Sequence, residues 1–242
     1  ETKKYTIELI KKTLKTTGSD NIVLSGGYFQ NCVNNYEYLK EFPHVTFYVD
    51  PICYDAGTAM GAALLFWHSY NEDYTIRKYD TVYLGPMHSY QMNDIISKAN
   101  NINAELLDVS YKDVVDILNT KNIVAIFQGR SENGPRALGN RSILFNPTYE
   151  DGKDFVNQVK HREYFRPFAG TILHEHVHDW FDLRGMKDSP FMMYAVDVLP
   201  EKRDEIPSIT HVDGTCRVQT VSKDNNENYY NLINSFYMVM YL

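Results

Sequence analysis

Cysteine is scarce in this chain: Cys32, Cys53 and Cys216 are all it has, an odd number with no CxxC spacing. That argues against a disulfide framework or a structural zinc and fits a reducing compartment. Long apolar runs are missing too. The longest, near residues 59–66 and 123–127, fall well short of the roughly 18 apolar residues that span a membrane, so no membrane partner is expected. There is no excess of positive charge: 31 acidic residues against 24 Lys and Arg give a net charge of -7, which exerts no general pull on nucleic acid or anionic lipid. Neither GxxxxGK[ST] nor GxGxxG occurs, and no Ser/His/Asp or Cys/His arrangement marks a covalent nucleophile. The expectation is a cytoplasmic protein without nucleic-acid partners, in which local basic clusters carry the information.

One such cluster stands out. Arg130, Arg136 and Arg141 fall within twelve residues, and Gly129, Gly134 and Gly139 recur every five positions among them. The apolar run at 123–127 reads as a buried strand, so these arginines emerge from a strand end, where a rigid scaffold aims loop side chains. Lys160, Arg162 and Arg166 form a second group, with Arg162 and Arg166 on one face if the segment is helical. In an acidic chain these six cations either pair internally, with Glu132 among the partners, or hold a phosphate-rich ligand. The glycines and the second cluster favour the ligand, since guanidinium forks take phosphate oxygens bidentately.

The order of elements reads as mixed α/β and α+β. A helix at 5–14 stops near Gly18, a strand at 21–25 runs into Gly26-Gly27, and a helix follows at 31–40. A strand leading through a double glycine into a helix presents backbone N–H groups to an anion, or is simply a tight turn. A strand at 45–49 precedes Asp55 and a helix rich in small residues reaching about His68. Asp55 is either a first-turn acid favoured by exposed N–H groups or a metal ligand. The tyrosine-rich stretch at 71–91 suggests a domain boundary. Beyond it the pattern predicts helices at 95–99, 111–118, 152–164 and 229–237, and strands at 104–109, 123–127, 142–145, 191–196 and ending at 219–221. His174, His176 and His178 alternate as they would on one strand face. His211, Asp213 and Arg217 surround a glycine turn, which either serves only itself or contacts a ligand.

Ser25-Gly26-Gly27-Tyr28-Phe29-Gln30-Asn31, Asp55-Ala56-Gly57-Thr58-Ala59-Met60-Gly61, the stretches 129–144 and 160–169, and 211–221 occur together in an order that resembles the NodU/CmcH family of O-carbamoyltransferases. The resemblance implies the terminal part of an actin-like ATPase domain at 1–75, a linker at 76–94 and a YrdC-like domain at 95–242. Arg130, Arg136, Arg141, Lys160 and Arg162 would then be catalytic. Gly26, Gly27, Arg166, His211, Asp213 and Arg217 would bind the nucleotide. The implied substrates are ATP with magnesium, carbamoyl phosphate as donor and a small-molecule hydroxyl acceptor. Asp55 would be one ligand of a divalent metal, iron by the same resemblance, whose other ligands are histidines this sequence lacks. Asn133 and Gly170 depart from the family pattern. The resemblance further implies that the chain is a piece, lacking the N-terminal half that carries those histidines and truncated at its end, and so inactive alone in complete transfer; a start at Glu1 inside a helical pattern points the same way. The rival classes are a non-catalytic nucleotide- or anion-binding module and a threonylcarbamoyl adenylate synthase, the latter disfavoured by the acidic charge.

Overall fold

The computed structural model describes residues 1–75 and 81–241. Helix α1 (Thr2–Thr17) ends where Gly18 turns left-handed. Strand β1 (Asn21–Leu24) follows, then a short 3-10 turn (Gly27–Gln30) and helix α2 (Cys32–Glu41), whose first turn is capped by the Asn31 side chain accepting from Asn34 N. Strand β2 (Thr46–Val49) pairs parallel to β1, and helix α3 (Asp55–Asn71) runs out from the end of that sheet. Helices α4 (Met92–Asn101) and α5 (Tyr111–Asn119) come next, α5 opening on a Ser110–Asp113 capping box.

A two-stranded antiparallel ladder, β3 (Val124–Ala125) with β4 (Ile143–Leu144), brackets the arginine-rich loop. Helix α6 (Gly152–Val159) leads to a four-stranded sheet of β5 (Ala169–Leu173), β6 (Phe181–Asp182), β7 (Ala195–Val198) and β8 (Thr215–Val221), ordered β5-β8-β7-β6. β5 and β8 are parallel; the other pairs are antiparallel. Helix α7 (Glu227–Tyr241) packs on α5 and β5.

The largest core draws on both ends of the sequence. Ile10, Ile22, Leu24, Tyr36, Tyr38 and Leu39 share one cluster with Val177, Trp180, Val196, Val198, Cys216 and Val218. Burying each such large apolar side chain contributes roughly 1.5–3 kcal/mol. Polar contacts register the two sides: Tyr36 donates to the Asp182 carbonyl at 2.7 Å, and Asn35 Nδ2 donates to the Met193 carbonyl at 2.9 Å. Of the expected linker, residues 76–80 lie outside the described residues. Val82 is buried against Ile52, Leu138 and Met192, and its carbonyl accepts from Asn133 N at 2.6 Å.

Several expected elements differ. No strand forms at 104–109, where Leu106, Leu107 and Val109 are exposed and pair with nothing. The strand expected at 191–196 begins at Ala195, because Met192 has a φ of 56° and Asn35 takes the Met193 carbonyl. The helix expected to reach residue 164 stops at Val159, since Lys160 caps it and His161 has a φ of 50°, so Arg162 and Arg166 do not share a helix face. His174, His176 and His178 lie on a 3-10 turn, not a strand, and project from it in different directions.

Candidate functional site

The loop between β3 and β4 is held by one carboxylate. Glu132 Oε1 accepts from the backbone N–H groups of Leu138 at 2.9 Å, Asn140 at 2.8 Å and Arg141 at 3.2 Å. An anion that satisfies three otherwise unpaired donors fixes the turn around it. Gly129, Gly134 and Gly139 all have positive φ, as their spacing suggested. At Gly139 a side chain is excluded twice: φ is 116°, and a Cβ would stand 2.3 Å from the Tyr229 ring. Glu132 therefore does not neutralise the arginines; the backbone occupies it.

Within this frame the arginines divide. Arg130 donates to the carbonyls of Gly85 at 2.8 Å and Leu84 at 3.1 Å, tying the loop to the segment before α4. Arg141 donates to the carbonyls of Gln128 and Asn140 at 2.5 and 2.8 Å and stacks on Phe127, 3.7 Å from the ring centroid. Arg136 points inward, donating to the carbonyl and the side-chain oxygen of Gln30 at 3.0 and 3.2 Å, so it bridges to the turn after β1. Its Nε is enclosed and has no partner. Burial, reinforced by Arg217, pushes its pKa down.

Arg217 rises from β8, an inner strand of the sheet, and its register partners are Ala169 and Ala195. Two methyl side chains beside it leave room for the guanidinium. Its Nε is also enclosed without a partner. Neither Arg136 nor Arg217 has an ion pair among the described residues. Two neighbouring half-buried guanidiniums, each with an enclosed Nε that lacks a partner and neither ion-paired, form a place where an anion lowers the energy.

The turn before β8 supports this pair. His211 Nε2 bonds to the Phe168 carbonyl at 3.1 Å and Nδ1 to Thr215 Oγ1 at 3.0 Å, while Asp213 accepts from Thr215 N at 3.0 Å. Burial pushes the His211 pKa down, and Arg217 adds to the effect. The neutral ring then donates through Nε2 to Phe168, whose ring lies 5.5 Å from Arg162. Burial raises the Asp213 pKa, but its bonds to Thr215 outweigh that and hold it below the ordinary aspartate value. Arg166 is exposed and pairs with Glu163 at 2.6 Å; Lys160 is exposed at the end of α6. Gln30 was missed in the sequence, although it lies in a motif singled out for its glycines. Glu132 was seen only as a possible counterion.

Gly26, Gly27 and Asp55 come together elsewhere, lining a cavity of about 490 Å³ with Asp50, Tyr54 and Thr58. Gly57 lets α3 approach this wall, since a Cβ there would lie 2.2 Å from the Ile52 carbonyl oxygen. Asp55 is in the first turn of α3 and makes no cap with its side chain. Among the described residues no three His, Cys, Asp or Glu side chains are grouped to hold a metal ion. Asp55 supplies one donor where a catalytic centre takes about three from protein, so these residues do not fit a metal centre. No helix among the described residues is long and apolar enough to cross a membrane.

Residues 2–64 match the carbamoyltransferase N-terminus family and residues 115–240 the carbamoyltransferase C-terminus family. The sequence is 36% identical to an uncharacterised protein of Synechocystis over 97% of this chain and 43% of that protein. It is 36% identical to Nodulation protein NolNO of Sinorhizobium fredii, over 91% of this chain and 33% of that protein. With Nodulation protein NolO of Bradyrhizobium diazoefficiens the identity is 37%, over 92% and 41%. The chain thus spans less than half the length of these relatives. Both family regions, N-terminal and C-terminal, match within it.

Proposed function

This chain belongs to the carbamoyltransferase family, and from that premise we propose that it takes part in ATP-dependent transfer of a carbamoyl group to a small-molecule hydroxyl. The observation that carries the reading is the Arg136–Arg217 pair, half-buried, adjacent and without an ion-paired acid among the described residues, each with an enclosed, idle Nε. Phosphate oxygens of ATP or carbamoyl phosphate satisfy these donors, and Arg162 beyond Phe168 extends the positive potential. On this reading carbamoyl phosphate gives up its phosphate to water, the resulting carbamate oxygen attacks the α-phosphorus of ATP with pyrophosphate leaving, and the acceptor hydroxyl then loses its proton and attacks the carbamoyl carbon of that adenylate with AMP as leaving group.

Catalysis of this kind needs no side-chain nucleophile. The guanidiniums neutralise phosphate charge in a site already shaped before substrate arrives, which is electrostatic preorganisation and positioning. Glu132 sets the loop that carries Arg136, and His211 sets the turn that delivers Arg217. The cavity with Gly26, Gly27 and Asp55 is proposed as the place where the nucleotide or acceptor meets the N-terminal region.

Calorimetric titration of magnesium-ATP, and separately of carbamoyl phosphate, tests the site. Arg136→Lys and Arg217→Lys keep the charge but lose the fork, so affinity should fall about tenfold or more; Lys4→Ala, far from the site, should leave it unchanged. Equal affinities in all four proteins would remove the basis of the proposal. Binding with no pyrophosphate released from ATP would instead favour a non-catalytic anion-binding module.

A further inference from the structure

A second cavity opens beside the N-terminal sheet. It has a volume of about 360 Å³, within the range of small-molecule sites, and runs along β2 and the segment 185–194. Its walls include Phe47, Met186, Pro190, Phe191 and Met193, flat or flexible apolar groups able to cover a ring. None of the arginines of the proposed carbamoyl site lines it.

The feature that points to a ligand is Tyr194. This residue is 8% exposed, lines the cavity, and its hydroxyl makes no hydrogen bond to any described residue. The fully enclosed polar side-chain atoms without partners are Asn35 Oδ1, Arg136 Nε, Asn157 Oδ1 and Arg217 Nε. The Tyr194 hydroxyl is not one of them, so it keeps an opening, and the cavity is the space this residue borders. Burial alone, with no hydrogen bond to offset it, pushes the phenol's pKa up, so the group stays a neutral donor and acceptor. At the mouth, Lys187 and Asp188 are exposed and form no ion pair among the described residues, one charge of each sign.

We propose that this cavity binds a small uncharged molecule with a ring-sized apolar face, and that Tyr194 hydrogen-bonds a hydroxyl or carbonyl at its inner end. The balanced charges at the mouth favour neither an anion nor a cation, unlike the basic site. The inference does not rest on the carbamoyl reading: none of that site's arginines lines this cavity, and Tyr48 alone is shared with the cavity of Gly26, Gly27 and Asp55.

Benzyl alcohol and toluene are the probes, being nearly the same shape with and without the hydrogen-bonding group. Titration followed by NMR of the Met186 and Met193 methyl groups reports binding at this cavity and no other. In the wild type both probes should shift those methyls, benzyl alcohol more tightly. Tyr194→Phe removes only the hydroxyl, so the variant should fold with an equal or higher unfolding midpoint. Its affinity for benzyl alcohol should drop about three- to tenfold, with toluene unaffected. Equal loss for both probes, no loss for benzyl alcohol, or methyls that neither probe shifts would overturn the proposal.

Discussion

Two pairs of arginines, drawn largely from the same loop, are put to opposite uses. Arg130 and Arg141 give their N–H groups to backbone carbonyls at 2.5–3.1 Å and lock neighbouring segments together. Arg136 and Arg217 are half-buried and each leaves an enclosed Nε idle. Spacing in the sequence does not separate them; the carboxylate of Glu132 does, because by binding three amides it turns Arg136 towards Gln30 and away from the turn that Arg141 closes. A satisfied arginine is scaffold, and one with an enclosed, unsatisfied Nε is a demand for an anion.

That contrast breaks most severely at the scaffold. Gly139→Ala combines a backbone angle foreign to alanine with a clash against Tyr229, and should cost roughly 4 kcal/mol in urea unfolding. Glu132→Ala leaves three N–H donors without an acceptor and should cost roughly 3 kcal/mol. If either variant unfolds at the wild-type midpoint, the loop is not organised as described.

The other half of the contrast is sharpened by ligand. An anion that settles between Arg136 and Arg217 binds only the folded state, so ATP at about 100 times its Kd should stabilise the protein by about 2.7 kcal/mol. Thermal unfolding with Arg217→Ala should show that gain shrink greatly, while the protein without ATP is no less stable, since one of two crowded cations has gone. Undiminished stabilisation by ATP in this variant would place the anion elsewhere.

A smaller effect is expected from His211. Its folded-state pKa lies below the ordinary 6.5, so the unfolded chain takes up more protons and stability rises with pH. The contribution is present above about 6.5 and is lost as pH falls through that value towards the folded one. The urea midpoint of wild type should therefore fall more between pH 7.5 and pH 5.5 than that of His211→Gln; parallel profiles would show that the imidazole is not held neutral. Arg166→Ala ranks last. Its pair with Glu163 is open to solvent, and the midpoint should not move measurably.

Much of the N-terminal fold is legible in the sequence because its signals are local: Gly18 stops α1, Asn31 caps α2, and apolar residues recur with the right period. β5 is not legible. It opens on Ala169 and Gly170, which have little strand preference of their own, and pairing with β8 decides their state. The opposite error occurs at 104–109, where strand-like residues find no partner strand. In the basic region the sequence supplies the arginines and the glycine turns, but not which cations remain unpaired. That depends on Gln30, which approaches Arg136 across 106 positions, and on a carboxylate whose partners are main-chain atoms that no side-chain pattern records.

The core shared by the two ends has a consequence for how the molecule is made. Ile10, Ile22, Tyr36 and Leu39 are covered by side chains from 177–218, so during synthesis they leave the ribosome long before their partners exist. Helices α1 and α2 can flicker into shape early, but they have little to pack against until β7 and β8 emerge. With its sheet closed by a parallel pairing of β5 and β8, contacts of such high sequence separation imply slow, late consolidation. Until then the apolar flank of α2 stays open to chaperones and to other nascent chains.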